Sequence, residues 1–129
     1  MLDIKKQIAY WRDGAIEDWK AAQHLLEQHY TRHGLFFVHL AIEKLLKALV
    51  CRQTNDLAPR LHNLIRLAEM AGLSLNQSQL DALADINIFN LEGRYPEVLI
   101  PPLSPGDVDD QLRRAEEVYQ WLLSLLSDQ

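Results

Sequence analysis

The sequence has few of the features that mark disulfide-stabilised, fibrous or membrane-spanning proteins. Its 129 residues include one cysteine, so no intrachain disulfide can form. Five glycines and five prolines are too few for a collagen-like or low-complexity chain. No apolar run approaches the roughly 20 residues of a transmembrane helix, and the N-terminal residues lack the apolar stretch of a signal peptide. We therefore expect a cytoplasmic protein with no membrane partner.

Positive charge and enzyme signatures are also scarce. Lysine and arginine number 13 against 18 aspartates and glutamates, which gives a net charge of −5. Tight non-specific binding to nucleic acid needs a positive field, so the balance disfavours a general DNA or RNA coat but allows a local basic patch. The sequence has no glycine-rich phosphate loop, nucleophile elbow or HExxH motif. Asp81 and Asp85 lie one turn apart, typical of a solvated face, and we predict no metal and no cofactor.

Apolar residues recur at helical spacing along most of the chain, which predicts an all-α fold. The first stripe consists of Ile8, Trp11, Ala15, Trp19, Ala22 and Leu26, and the last of Val108, Leu112, Ala115, Tyr119, Leu122 and Leu126. We predict helices over about 4–28, 35–52, 61–71, 77–93 and from 105 onward. Four long helices and one shorter helix would form an up-and-down bundle, a single domain over residues 1–129.

Turn and cap signals separate these helices. We predict a break over residues 29–34, which end in Gly34. Gly72 stands where a left-handed C-terminal cap is expected, and Asn76 with Gln79 resembles a capping box. Four prolines between residues 95 and 105 predict an extended connection along the bundle, and Ser104 is the expected N-cap of the last helix.

The second helix is apolar on most faces, which indicates a central position in the bundle. Cys51 closes its apolar run and is interpreted as a core residue. His39, Glu43 and Lys47 step by four residues and form a narrow polar stripe. This stripe fits three alternatives: a solvated strip, a groove in which lysine meets phosphate, or a buried network between helices.

Four stretches, in order, resemble the HEPN domain family of small helical proteins. The first is the Ala- and Leu-rich first helix, and the second is residues 39–49, HLAIEKLLKAL, similar to the family's A-x-E-K-x-x-K-A signature. Residues 59–64, PRLHNL, are similar to its P-x-x-H-D/N-L opening of the third helix, and Arg94-Tyr95-Pro96 to the R-Y-P that closes the fourth. The closing helix also fits, so the resemblance covers roughly Ala15 to Leu126.

The resemblance implies an up-and-down helical bundle that is usually a homodimer. It implies either a metal-independent ribonuclease with an Arg followed by a His, or a partner of a small nucleotidyltransferase in a toxin–antitoxin or defence pair. Arg94 matches the arginine, but no histidine follows it within the required spacing. Arg32 and His39 match the spacing elsewhere in the chain, which we interpret as coincidence. We therefore assign no catalytic residue and predict a protein that binds a nucleotide or RNA.

Lys44, Lys47, Arg94 and His62 are the expected phosphate-binding residues. Arginine offers a rigid bidentate fork to phosphate, lysine a point charge, and histidine a group that titrates near neutral pH. Each has a structural alternative: Lys47 an i,i+4 ion pair with Glu43, Arg94 an ion pair with a nearby carboxylate, and His62 a capping or packing role. The other alternative for the whole chain is a helical dimerisation or interaction module without a ligand.

Overall fold

The computed structural model describes the backbone of residues 2–94 and 105–127, and the side chains of residues 2–90 and 106–127. Five helices occur in this part of the chain: α1 (Ile4–Glu27), α2 (Thr31–Thr54), α3 (Leu64–Met70), α4 (Gln77–Arg94) and α5 (Pro105–Ser127). No strand is found among these residues. The predicted all-α bundle of four long helices and one shorter helix is confirmed.

The long helices alternate in direction. Along the α1–α2 interface, Gly34 of α2 faces Ala22 and Leu26, whereas Lys47 lies over Trp11 near the start of α1, so the two helices are antiparallel. The α4–α5 pair is antiparallel too, because Arg114 meets Asp85 while the later Trp121 shares a cavity with Asn76. The short α3 runs alongside α2 in the same direction.

The connection between α1 and α2 is shorter than the sequence predicts. It is completed by His29, which takes a left-handed backbone conformation with φ 66°, and α2 already begins at Thr31. Gly34 therefore lies inside the helix, and the predicted break at this glycine is wrong. Gly34 allows α1 and α2 to pack closely. A Cβ at this position would stand 2.6 Å from Leu26 Cγ and 3.3 Å from the carbonyl oxygen of Ala22.

The helix ends around α3 largely follow the sequence. Asn63 is the N-cap, and its side chain accepts hydrogen bonds from the backbone N–H groups of Ile65 and Arg66, so α3 starts three residues later than predicted. Gly72 has φ 73°, as expected of a left-handed cap. The capping box is confirmed: Asn76 N–H donates to Gln79 Oε1 at 2.9 Å, and Gln79 N–H donates to Asn76 Oδ1 at 2.8 Å.

The core is centred on α2, as predicted. Its residues from Ala41 to Cys51 are all buried except Lys44, and Cys51 is fully enclosed. The ring of Trp19 from α1 stacks on Tyr119 from α5 with centroids 4.1 Å apart. One copy of the chain thus covers this stretch of α2 by itself, so its apolar character does not call for a second copy.

Within the described ranges, no helix has the length and apolarity needed to cross a bilayer. The proline-rich connection expected over residues 95–104, including Ser104, lies outside the described residues.

Candidate functional site

Three polar side chains of α2 are buried within the bundle. His39 has no exposed surface, and the side chains of Glu43 and Lys47 are 5% and 7% exposed. Of the three alternatives for this stripe, the solvated strip is wrong and the buried network is confirmed. Burial follows from the position of α2, since neighbouring helices and the segment before α3 cover most of its circumference.

Glu43 is the centre of that network. Its Oε2 accepts a hydrogen bond from Lys47 Nζ at 3.1 Å, one helical turn away. Its Oε1 lies 3.1 Å from Nδ1 of His62, in the segment before α3, and 3.6 Å from Nδ1 of His39. We name His39, Glu43, Lys47 and His62 the Glu43 cluster. A buried carboxylate requires such partners, because an unpaired charge in the interior is strongly unfavourable.

The backbone at His62 is held from two sides. His39 Nε2 is 3.1 Å from the carbonyl oxygen of His62 and must donate, because a carbonyl only accepts. Two residues later, the N–H of Leu64 donates to the side-chain oxygen of Asn87 in α4 at 2.9 Å. These contacts anchor the segment before α3 to both α2 and α4. The His62 side chain itself is 47% exposed, so it is the member of the cluster that solvent reaches most easily.

Lys47 has a second neighbour in α1. Its Nζ stands 5.1 Å from the centroid of the Trp11 ring, a distance at which a cation–π attraction operates. With Glu43 on one side and Trp11 on the other, the ammonium is held inside the bundle. The Lys47 ammonium therefore does not reach into solvent.

Lys44 lies on another side of α2, facing α1. Its Nζ is 2.7 Å from Asp18 Oδ2, and its side chain passes Gly14, where a Cβ would stand 3.3 Å from Lys44 Cδ. The side chain is 29% exposed. The structure thus brings Lys47 and His62 together through Glu43 but places Lys44 in a separate ion pair.

Arg94 is the last residue of α4, and its side chain lies outside the described residues. Its backbone follows Asn87 by seven residues, close to two helical turns, which is about 10 Å along the axis and on about the same side of α4. Because Asn87 contacts Asn63 and Leu64, this side of α4 is the one that meets the segment containing His62.

The other residue pairs considered from sequence have structural partners. Asp81 Oδ1 accepts from the Gln77 amide at 2.8 Å, and Asp85 lies 3.2 Å from Arg114. No cluster of metal-ligating side chains is found within residues 2–90 and 106–127. Arg32 is exposed near the start of α2, whereas His39 is fully buried, so this pair does not form a solvent-facing couple.

The Glu43 cluster has a definite chemical capacity. A carboxylate that bonds one imidazole nitrogen fixes the tautomer of the neutral ring. The second nitrogen of His62 is then the atom that can meet a ligand, as a donor to phosphate when protonated or as an acceptor when neutral. The arrangement therefore suits recognition of a phosphate group at the surface.

Several of these residues were not predicted as site residues. Glu43 and His39 have a signal in the sequence, namely their four-residue spacing with Lys47, which places all three on one face of α2. Trp11 and Asn87 have none, because their contacts join segments that are distant in the chain, whereas Asn63 stands in the PRLHNL stretch and caps α3 locally. Burial raises the pKa of the Cys51 thiol above its ordinary value of 9.0, consistent with its predicted core role.

A family model and two solved structures are similar to this chain. A family model described as "HEPN domain" matches residues 8–125. The structure is similar to that of TT1696 from Thermus thermophilus, with a TM-score of 0.70 and 19% identity over 95% of this chain and 97% of that one. It is equally similar to ST0689, an archaeal HEPN homologue, with a TM-score of 0.70 and 19% identity over 98% and 99% of the two chains. No curated protein matches the sequence.

Proposed function

Since this chain belongs to the HEPN domain family, we propose that it binds the phosphate groups of a nucleotide or an RNA and acts with a separate small nucleotidyltransferase. The partnership, as one half of a toxin–antitoxin or defence pair in the cytoplasm, rests on what the family resemblance implies. The binding activity rests on the structure, and above all on the half-exposed ring of His62 that buried Glu43 holds at 3.1 Å.

In this proposal His62 and Arg94 contact the phosphate. The imidazole donates through its second nitrogen, and the guanidinium supplies the bidentate fork that phosphate prefers. Lys47 acts indirectly, because its ammonium is bonded to Glu43, the carboxylate that holds His62. Lys44 is the weakest of the four candidates, because its ammonium already has Asp18 at 2.7 Å.

The proposed binding is local rather than extended along a nucleic acid. A net charge of −5 opposes a long RNA footprint, because counterion release needs many cationic contacts. Affinity that comes from a few exposed charges should weaken as salt is added. The family's ribonuclease motif has a histidine shortly after its arginine, and no histidine follows Arg94 at that spacing. We therefore propose little or no RNA cleavage.

The test is a titration of ATP and of a short RNA against the wild type, His62→Asn and Arg94→Ala, with a metal-free ribonuclease assay beside it. Arg113→Ala is the matched control for the arginine, since Arg113 is exposed on α5. Both site variants should bind more weakly and the control should not. Cleavage of RNA that is lost in Arg32→Ala or His39→Ala would favour the alternative of a metal-independent ribonuclease.

We also propose that the protein is a homodimer, which the family resemblance implies. A stable two-fold interface would bury at least about 1,000 Å² of total surface. Light scattering at micromolar concentration should give twice the mass of one chain, and a clean monomer mass would contradict the proposal. A stable dimer that binds neither ATP nor RNA would favour the alternative of a helical interaction module without a ligand.

The partner is tested separately. A small nucleotidyltransferase encoded next to this chain should co-purify with it when the two are expressed together. Complex formation that survives in His62→Asn would show that the protein interface and the phosphate site are distinct surfaces.

A further inference from the structure

We infer that Glu43 is a positioning residue, which presents Nε2 of His62 to a phosphate group and makes phosphate binding depend on protonation of His62. This inference rests on the proposed function and concerns the same site. It starts from the contact between Glu43 Oε1 and His62 Nδ1, at 3.1 Å, between a carboxylate that is almost fully buried and a ring that is 47% exposed.

The charge of Glu43 decides the tautomer of His62. Glu43 bonds the Lys47 ammonium through its other oxygen, so it carries a negative charge and can only accept. The hydrogen bond with His62 therefore places a proton on Nδ1. In the neutral ring the lone pair is then on Nε2, the nitrogen that Glu43 does not occupy. The orientation is set from inside the bundle, before any ligand arrives.

The backbone contacts fix the position from which the ring extends. His39 holds the carbonyl of His62 at 3.1 Å, and Asn87 holds the N–H of Leu64 at 2.9 Å. Rotation of the ring about its own bonds is limited by the hydrogen bond to Glu43. A group held by three separate contacts loses little conformational freedom when it binds, which is the general advantage of preorganisation.

The charges around a protonated His62 are compatible with a bound anion. On α2, Glu43 is neutralised by Lys47, and His39 lies beside them. In the segment of His62 itself, Arg60 is exposed, and in α3 Arg66 pairs with Glu69. The described neighbour from α4 is the uncharged amide of Asn87. A proton on His62 therefore adds positive charge next to one neutralised carboxylate, and a bound phosphate complements that charge.

The direction of the pH effect follows. Imidazolium donates from Nε2 to a phosphate oxygen, whereas the neutral ring presents a lone pair that repels it. Phosphate binding should therefore be strongest below the titration range of histidine and should weaken as pH rises through it. Coupling to one proton weakens affinity by at most about tenfold for each pH unit.

The first experiment determines the tautomer of His62 in the free protein by long-range proton–nitrogen NMR spectroscopy near pH 8. We expect Nδ1 to carry the proton in the wild type. A proton on Nε2 instead would overturn the inference whether or not any ligand binds. This measurement therefore separates the inference from the proposed function.

The second experiment measures ADP binding against pH for the wild type, His62→Asn and Glu43→Gln, with adenosine as the ligand without phosphate. The terminal phosphate of ADP also titrates near neutrality and therefore adds its own pH dependence to the affinity. The His62→Asn variant measures that part, because it lacks the imidazole. We expect the wild type to lose more affinity with rising pH than His62→Asn. Glu43→Gln should lie between them, because a neutral amide keeps the shape of the carboxylate without its charge.

His24→Asn is the matched control, since His24 is exposed at the end of α1, away from the Glu43 cluster. It should keep the wild-type pH profile. Circular dichroism of each variant confirms that it is folded before binding is compared. A Glu43→Gln profile equal to that of the wild type, or a His62→Asn profile with the full wild-type slope, would refute the inference. Absence of ADP binding at every pH would refute the proposed function, and the tautomer measurement would then decide the positioning role alone.

Discussion

Glu43 Oε1 and His62 Nδ1 are 3.1 Å apart although nineteen residues separate them along the chain. One is almost fully buried in the central helix, and the other lies half-exposed just before α3. The contact links the interior charge network to the protein surface. It is the basis of the functional proposal.

Removing one member of the buried ion pair should destabilise the protein strongly. Glu43→Ala leaves the Lys47 ammonium without its carboxylate in a site where it is 7% exposed, and Lys47→Ala leaves the carboxylate without its ammonium. We expect each to lower the free energy of unfolding by about 3–5 kcal/mol. The double variant Glu43→Leu, Lys47→Met should recover most of this loss, because it leaves no buried charge unpaired. Urea denaturation provides the measurement, and equal losses for single and double variants would contradict the ion-pair account.

Shortening a buried side chain of α2 should also lower the free energy of unfolding. Leu45 has no exposed surface, so Leu45→Ala removes buried methyl groups and leaves a cavity. We expect a loss of about 2–5 kcal/mol in the free energy of unfolding. Lys20 is exposed on α1, and Lys20→Ala should change stability by less than about 0.5 kcal/mol. Comparable losses in thermal melts of the two variants would show that the helix faces are wrongly assigned.

A side chain at position 34 should destabilise the protein, because α1 and α2 pack closely there. Gly34→Ala places a Cβ at 2.6 Å from Leu26 Cγ and 3.3 Å from a backbone oxygen, so the helices must move apart or Leu26 must shift. Overpacking of this kind costs about 1–3 kcal/mol. Gly106→Ala in the first turn of α5 is the control, because none of the described residues has an atom within 4 Å of its Cβ. The control should keep or slightly raise the melting temperature, and a tolerated Gly34→Ala would refute the role of the glycine.

The buried Cys51 thiol should make the protein less stable as pH rises into the alkaline range. Burial raises the pKa of Cys51 above its ordinary value of 9.0 in the folded protein. Well below pH 9 the thiol is protonated in both the folded and the unfolded state, so it adds no pH dependence there. As pH rises further, the unfolded chain releases its proton first, and the folded state loses stability relative to it.

Cys51→Ala removes the thiol, so the free energy of unfolding of this variant should fall less steeply as pH rises. The comparison uses the slope of stability against pH rather than its absolute value, because the substitution also leaves a small cavity. Native protein should react slowly with a thiol reagent at pH 8, and only denaturation should expose the cysteine. Rapid modification of the folded protein would contradict full burial.

Local features of the chain were predictable because they depend on neighbours in the sequence. The stripe from Ile8 to Leu26 and that from Leu112 to Leu126 are set by the helical repeat, and both face the core. The capping box at Asn76 and the left-handed Gly72 follow from the chemistry of helix ends. Gly34 shows the limit of such arguments, since its small size serves a contact with Leu26 that no local pattern encodes.

By itself, the sequence determined the helices, the central position of α2, the polar stripe of His39, Glu43 and Lys47, and the family resemblance. Only the tertiary structure decided that this stripe is buried and that His62 completes it. The physical reason is that burial and ionic contacts depend on which segments the fold brings together, whereas helix formation depends on residues three and four apart. The same reason explains why Lys44, three residues before Lys47, has Asp18 as its partner instead of Glu43.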